Sequence, residues 1–427
     1  MSQGTALHPP TLFDGLINGL GGIVGGGIFL LVGSLVEDNR QYAFISFVIA
    51  AIMCIMVSFC FSVLSKEYPS DYGLLNYASN LYENKYVSNT INGIICFGYI
   101  ALLCVYSLSA GAYVADYFNV SYLSRILASI VVTVSLLLNY LPKEYFDKMQ
   151  TSLVIYKMVL LLLVAFYGIY MPAKIKQKPK VIEGNSLYDN IIHGIISAIA
   201  IFVTYEGFEM NSRFSEDMVN PEINMPLSYL LPVLISAVLY VLITISVNKH
   251  IGGKITKVNG KSALIDLVKS YGFVLWGPII IILTNLVANL TANLATIQLN
   301  EGIFEKYLRD LNVSEGTYNF LTKPITINKI SKSMILWVST ILAVLIMLFG
   351  PVEKIKHIGS LLFLIIFGLV SMMAYRLIYN KEDFNEEIRI MHFKIPHSLG
   401  KLISFTSLIL CIIGTILLLK ELLKEIF

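Results

Sequence analysis

Long apolar stretches separated by short polar ones dominate the chain, and a window of about 19 residues, the length that crosses a bilayer as a helix, resolves eleven of them. They run over 12–33, 42–64, 89–116, 124–140, 150–171, 188–211, 226–247, 272–297, 333–349, 357–379 and 399–420. No run of alternating ten-residue segments suggests a transmembrane barrel, and open sheet edges cannot face lipid. The pattern predicts an all-α polytopic membrane protein.

Two of these spans carry residues that oppose a continuous helix. Residues 21–29, Gly-Gly-Ile-Val-Gly-Gly-Gly-Ile-Phe, place five glycines inside the first span, and each interior glycine costs roughly 1 kcal/mol relative to alanine. In hydrocarbon, unwound backbone persists only where protein buries it or where it lines a cavity. The sixth span has Glu206 followed by Gly207 about midway along, where helix propensity and the cost of charge both argue for a second break. Breaks five spans apart have a topological meaning, because an odd number of spans inverts the second copy in the membrane. Residues 12–171 and 188–379 are therefore expected to form two inverted repeats in a single domain spanning 1–427, with span 399–420 outside them. The broken helices would meet near the midplane. Close helix packing is the other use of such glycines.

Composition supports the class and narrows the partners. Hydrophobic residues make up 56% and charged ones 14%, with a mean hydropathy of +0.72, so the expected location is the cell membrane with multiple passes. A net charge of +3 spread over short loops argues against nucleic acid as a partner. Lys and Arg divide evenly between the two sides, so the positive-inside rule does not orient the chain. Met1 to Pro10 has no basic n-region, and no cleaved signal peptide is expected. Cys54, Cys60, Cys96, Cys104 and Cys411 sit in apolar segments without metal-ligand spacing and read as packing residues. The histidines are scattered, with His193 in an apolar stretch that suits packing, so neither an enzyme, a metal site nor a cofactor is expected.

The breaks suggest chemistry for an amino acid. Backbone amides around Gly25, Gly26 and Gly27 would stand at the N-terminus of the second half of span 1, where free N–H groups and the helix dipole favour a carboxylate. Unwound carbonyls near Tyr205 to Gly207 would accept from the amino group. Tyr205, Phe208 and Tyr106 are candidate walls of a side-chain pocket, or ordinary packing residues. Glu206 either meets a substrate ammonium or is protonated and bonded to freed backbone, whereas Glu209 reads as a cap or a partner for a loop charge. Asn285, Asn289 and Asn293 share one helix face at four-residue spacing and line either a water-filled cavity or a hydrogen-bonded interface. Lys157 lies within span 5 with no acid nearby along the helix; it either snorkels to the interface or is buried.

These motifs together resemble the amino acid-polyamine-organocation superfamily, over spans 1 to 10. Gly21 to Phe29 matches its glycine-rich first-span signature, and Phe202-x-x-Tyr205-x-Gly207-Phe208-Glu209, continued by Glu216-Asp217-x-x-Asn220-Pro221 and Pro226, matches its span 6 motif. Glu67-Tyr68-Pro69 through Gly73 to Tyr77 looks like the loop after span 2. Tyr72 replaces a glycine there, Leu75 a tyrosine, and Gly302 stands near the place of an arginine; many relatives also have twelve spans. The resemblance implies a LeuT-like five-plus-five inverted repeat with discontinuous spans 1 and 6. It also implies amino acid transport coupled to protons, sodium or exchange. Several proton-coupled members carry a span 5 lysine where sodium binds in sodium-coupled relatives, bridging spans 1 and 8, which makes Lys157 the candidate coupling residue. The expected function is secondary active transport of amino acids by alternating access. Its partners would be a small-molecule substrate (an amino acid or related amine), a proton as coupling ion, and the lipid bilayer. Exchange of amino acids or polyamines, and amino acid sensing without transport, are the alternatives.

Overall fold

A reciprocal cap starts the first helix. In the computed structural model, which describes residues 9–39, 42–172, 194–199, 201–252, 262–327, 329–383 and 386–424, the Asp14 carboxylate accepts the Thr11 N–H at 2.8 Å. The Asp14 N–H donates back to the Thr11 hydroxyl at 3.4 Å, completing a capping box. Helix α1 (Leu12–Ile23) then runs into the glycines and stops. After Val24 and Gly25 the chain resumes as α2 (Gly26–Asn39), bent by 50° from α1.

The first half continues as α3 (Ala43–Glu67), α4 (Leu74–Leu81), α5 (Lys85–Phe118), α6 (Leu123–Leu138) and α7 (Lys143–Tyr170). The described part of the sixth span is a short helix, α8 (194–199), followed by two 3-10 stretches, Phe202–Tyr205 and Phe208–Phe214. It is a broken element, not a continuous helix; His193 lies outside the described residues. Then come α9 (Pro221–Ile251), α10 (Ala263–Ser270), α11 (Trp276–Asp310), α12 (Glu315–Leu321), α13 (Met334–Phe349), α14 (Val352–Asp383) and α15 (His397–Lys424). Asn220, at φ 48°, turns the chain into α9, and Pro221 sits in its first turn, where the missing N–H costs nothing.

Among the described residues, seven helices are long and apolar enough to cross a membrane, and the bent α1–α2 pair makes an eighth. Helices α6 and α13 are shorter apolar helices. Two hairpins in the connections were not expected from the pattern: β1 (Pro324–Ile327) with β2 (Ile330–Ser333), and β3 (Ile388–Ile390) with β4 (Phe393–Ile395). Both are antiparallel and too short to cross a bilayer.

Packing places the breaks at the centre. Helix α1 lies against α9, α11 and the 3-10 stretch over Phe208–Phe214, while α3 packs on α9 and α14, and α5 on α6, α11 and α14. The apolar window of α5 is 78% buried and that of α15 only 28%, so α15 lies outermost. Its exposed Leu402, Ile412 and Ile416, like Leu163 on α7, form surface that suits lipid contact. At the departures from the family pattern, a Cβ on Gly302 would stand 3.7 Å from the Tyr72 ring, and Arg309 donates to the Tyr72 hydroxyl at 3.4 Å. Leu75 is fully buried.

Candidate functional site

The two breaks meet backbone to backbone. A Cβ built on Gly22 would lie 2.7 Å from the Gly207 Cα, and one on Gly207 only 2.4 Å from the Gly22 carbonyl carbon. Gly207 also has φ of 127°, a region closed to most L-residues. Glycine is thus needed at Gly207 for conformation and at both positions for proximity.

Ending α1 mid-protein leaves its last carbonyls without intrahelical partners, and donors from three other helices take them. Lys157 of α7 donates to the Gly21 carbonyl at 2.9 Å and the Val24 carbonyl at 2.8 Å. The Tyr106 hydroxyl of α5 reaches the Gly22 carbonyl at 3.4 Å. The Tyr240 hydroxyl of α9 lies 2.9 Å from the Ile23 carbonyl and 3.3 Å from that of Thr204, so one residue touches both breaks. Lys157 gives its third proton to the Thr291 hydroxyl of α11 at 2.8 Å, and its side chain is fully buried. Lys157 therefore does not snorkel. Helix α7 begins at Lys143, which puts Lys157 about 20 Å along it at about 1.5 Å per residue.

The asparagine stripe faces inward, and Asn285, Asn289 and Asn293 are all fully buried. Asn293 donates to the Ser107 hydroxyl of α5 at 2.9 Å, whereas Asn289 donates to the Asn285 carbonyl at 2.9 Å. The Asn289 Oδ1 would be 2.8 Å from a Cβ on Gly26, and the Ser109 Cβ only 2.4 Å from it. Gly26 is thus wedged against α5 and α11, and Gly25 lies under the Tyr106 ring, 3.1 Å from where its Cβ would stand. Gly27 faces Thr204, whose Cγ2 would be 2.9 Å from its Cβ. Gly26→Ala is expected to lower uptake severely, and adding Ser109→Gly to recover a substantial part of it. Uptake by both variants at matched membrane levels checks this; no recovery in the double variant would show that contact with Ser109 is not the cause.

The remaining candidates separate into two groups. The Tyr205 hydroxyl donates to the Phe47 carbonyl at 2.9 Å, and its ring packs on Tyr240. Phe208 sits in an aromatic cluster with Phe61, Tyr229 and Phe367. Both rings serve packing between α3, α9 and α14, while Tyr106 stands over the α1 break. Of the two acids, Glu209 closes the second break by accepting the Gly207 N–H at 2.7 Å. Glu206 is 3% exposed, and its Oε1 has no hydrogen-bond partner among the described residues. Tyr240, Ser109 and Thr204 were not singled out by sequence. A tyrosine amid Leu239 and Val241 carries no local sign of what its hydroxyl reaches.

Known proteins agree on the kind of molecule this is. A family model described as amino acid permease matches residues 13–420. The chain is similar to the inner membrane transport protein YbaT of Escherichia coli K12, with 22% identity over 394 residues, covering 90% of this chain and 86% of that protein. It is also similar to the methylthioribose transporter of Bacillus subtilis 168, at 23% identity over 253 residues, 55% of this chain and 53% of the relative. A shorter similarity, 32% over 62 residues, reaches the chloroplastic cationic amino acid transporter 9 of Arabidopsis thaliana and covers 14% of this chain and 11% of that one.

Proposed function

This chain belongs to the amino acid permease family, as a multi-pass cell-membrane transporter of amino acids or related compounds, and on that premise we propose that it is a proton-coupled symporter of amino acids working by alternating access. The observation that carries the reading is the Lys157 ammonium. Its three protons are given to two carbonyls at the broken end of α1 and to one hydroxyl on α11. A protonated lysine thereby ties α7, α1 and α11 together. Loss of a proton removes both the charge and one of the three bonds, loosening α1 at its break, so protonation favours one facing of the transporter over the other.

The glycine break supplies the other half of the cycle. The first turn of α2 begins at Gly26, and its N–H groups and dipole suit a substrate carboxylate. The contact of Gly22 with Gly207 supports reading 12–171 and 188–379 as inverted repeats whose broken helices share one site. Helices α1 and α11 would then move relative to α7 as the site changes the side it faces.

Purified protein in proteoliposomes, offered a panel of radiolabelled amino acids, tests the reading. Accumulation is expected under an inward proton gradient, without sodium, and a protonophore is expected to abolish it. Strict dependence on a sodium gradient, or counterflow without net accumulation, would overturn proton symport. Binding without any translocation would make the protein a receptor.

A further inference from the structure

Polar contacts close the side of the crossing that faces the first turn of α1, and their arrangement points to how that side opens; this inference rests on the alternating-access reading above. Several segments there are stitched into one body. Asn18, one turn before Gly21, donates to Asn211 in the 3-10 stretch after the second break at 2.9 Å. The Asn211 amide donates in turn to the Gly15 carbonyl of α1 at 2.9 Å and the Ser228 carbonyl of α9 at 2.8 Å. Glycines let α1 and α9 touch, since a Cβ on Gly15 would lie 2.7 Å from the Ser228 Cβ and one on Gly19 2.7 Å from the Pro232 Cγ. The connection between α3 and α4 joins the same body. Its Ser70 N–H donates to the Ser215 hydroxyl at 2.9 Å, and that hydroxyl donates to the Ser70 carbonyl at 3.2 Å.

Towards α11 the attachment is of another kind. Arg213, two residues before Ser215, directs its Nη2 to the Asn18 Oδ1 at 3.2 Å and to the Gln298 Oε1 of α11. Beside it, the Thr296 hydroxyl of α11 meets the Met210 sulfur at 3.9 Å. Gln298 lies about 7 Å beyond Asn293 along α11, at about 1.5 Å per residue, so the guanidinium bridges the two bodies past the end of the asparagine stripe.

This bridge has the chemistry of a reversible one. A guanidinium binds most strongly to a carboxylate, through two parallel N–H bonds. Arg213 is bonded instead to two neutral amide oxygens, and its Nε is buried without a partner among the described residues. Two carboxylates act on it electrostatically, Asp147 on α7 and Asp71 in the α3–α4 connection. Asp71 follows Ser70, so the serine bonds hold it to the same body as Arg213. It also faces Glu216 and Asp217, whose charge a guanidinium would offset. A stronger partner for Arg213 therefore stands on the side of the bridge that does not include α11.

We propose that Arg213 is a two-position latch on the transport route. Bonded to Gln298 and Asn18, it holds α1 and span 6 against α11 and closes the site towards the first turn of α1. Transferred to the Asp71 carboxylate, it lets α11 part from that body, and the site opens to that side. Arg213 touches no substrate in this role; it positions the helices.

The rate at which a charged maleimide modifies Thr296→Cys in the purified protein reads the separation, because Thr296 is fully buried against Met210. The parent protein, with its buried native cysteines, gives the background. Gln298→Ala is expected to speed modification by about fivefold or more, the low end of coupling between conformational states. Gln298→Glu, which offers the guanidinium a carboxylate on α11, is expected to slow it. Asp71→Asn should slow it too, and should lose that effect in Arg213→Gln, which itself reacts fast; Asp147→Asn should leave the rate as it is. Opposite shifts at one position cannot come from unfolding, and melting temperatures accompany them. Equal rates in Gln298→Ala and Gln298→Glu overturn the latch. Slowing by Asp147→Asn but not by Asp71→Asn, or an effect of Asp71→Asn that survives Arg213→Gln, overturns the transfer. Proteoliposome uptake of the amino acid panel by the same variants keeps the two readings apart. Labelling that shifts as expected without any uptake supports the latch and overturns transport, whereas wild-type uptake with labelling indifferent to every variant overturns the latch and leaves transport standing.

Discussion

Lys157→Ala is expected to abolish proton-driven accumulation, or to reduce it by between about fivefold and 150-fold, the range that a coupling free energy of about 1–3 kcal/mol spans. The variant removes the ammonium and all three of its bonds, to Gly21, Val24 and Thr291. Those partners come from the broken end of α1 and from α11, so the loss falls on the contact that would sense the proton. A stability cost accompanies it, because each buried carbonyl left without a donor costs about 1–3 kcal/mol. Thr291→Val separates the two effects by removing one acceptor while keeping the charge, and it should retain coupling at lower efficiency. Measured uptake against a proton gradient, alongside melting temperature and substrate binding, checks the prediction. Accumulation at wild-type levels in Lys157→Ala, or a strict sodium requirement in the wild type, would sink the assignment of Lys157.

Both breaks were legible in the chain because each puts a residue in mid-membrane that a continuous helix tolerates poorly. Gly21 to Gly27 and Glu206-Gly207 stand out from apolar surroundings on composition alone, as does Lys157 on α7. What those residues touch was not legible. The Tyr240 hydroxyl meets the Ile23 carbonyl across 217 positions of sequence, and nothing in its apolar helix marks it off from a packing tyrosine. Ser109 is likewise an ordinary small residue until Gly26 is set against it. Tyr205 and Phe208 show the converse: their place in the span 6 motif suggests pocket walls, but they end one 3-10 stretch and begin the next, and their rings lie in the aromatic packing around Phe61 and Tyr240. Helix lengths were underestimated for a related reason. A hydropathy window senses only the lipid-compatible part, whereas α5 runs from Lys85 to Phe118 and α11 from Trp276 to Asp310, with polar ends beyond the apolar window. The hairpins and the short helices α4, α10 and α12 lie in connections, where no apolar run announces them.

Gly207→Ala is expected to be a severely damaging substitution at the crossing of the two breaks. Two independent costs coincide there. At φ of 127° and ψ of −24° an alanine is in a conformation that L-residues avoid, and a strained backbone of this kind costs on the order of 1–3 kcal/mol. Its Cβ would also lie 2.4 Å from the Gly22 carbonyl carbon and 2.5 Å from the Ile23 nitrogen. Those atoms are backbone, so no rotamer change relieves the clash; the two breaks themselves must separate. Separation would strain the bonds from Tyr240 to Ile23 and Thr204 and from Lys157 to Gly21 and Val24. A loss of about 4 kcal/mol or more, in the range reserved for the severest point changes, should follow, with uptake at background. Gly302→Ala is the matched control, since its Cβ would find nothing nearer than 3.6 Å, and at this half-buried position within α11 alanine in place of glycine changes stability by no more than about 1 kcal/mol. Thermal melting of both purified variants and their uptake at equal membrane abundance make the comparison. A Gly207→Ala variant that melts and transports as Gly302→Ala does would show that the breaks do not meet through this glycine, and the central argument for a shared site at their crossing would fall with it.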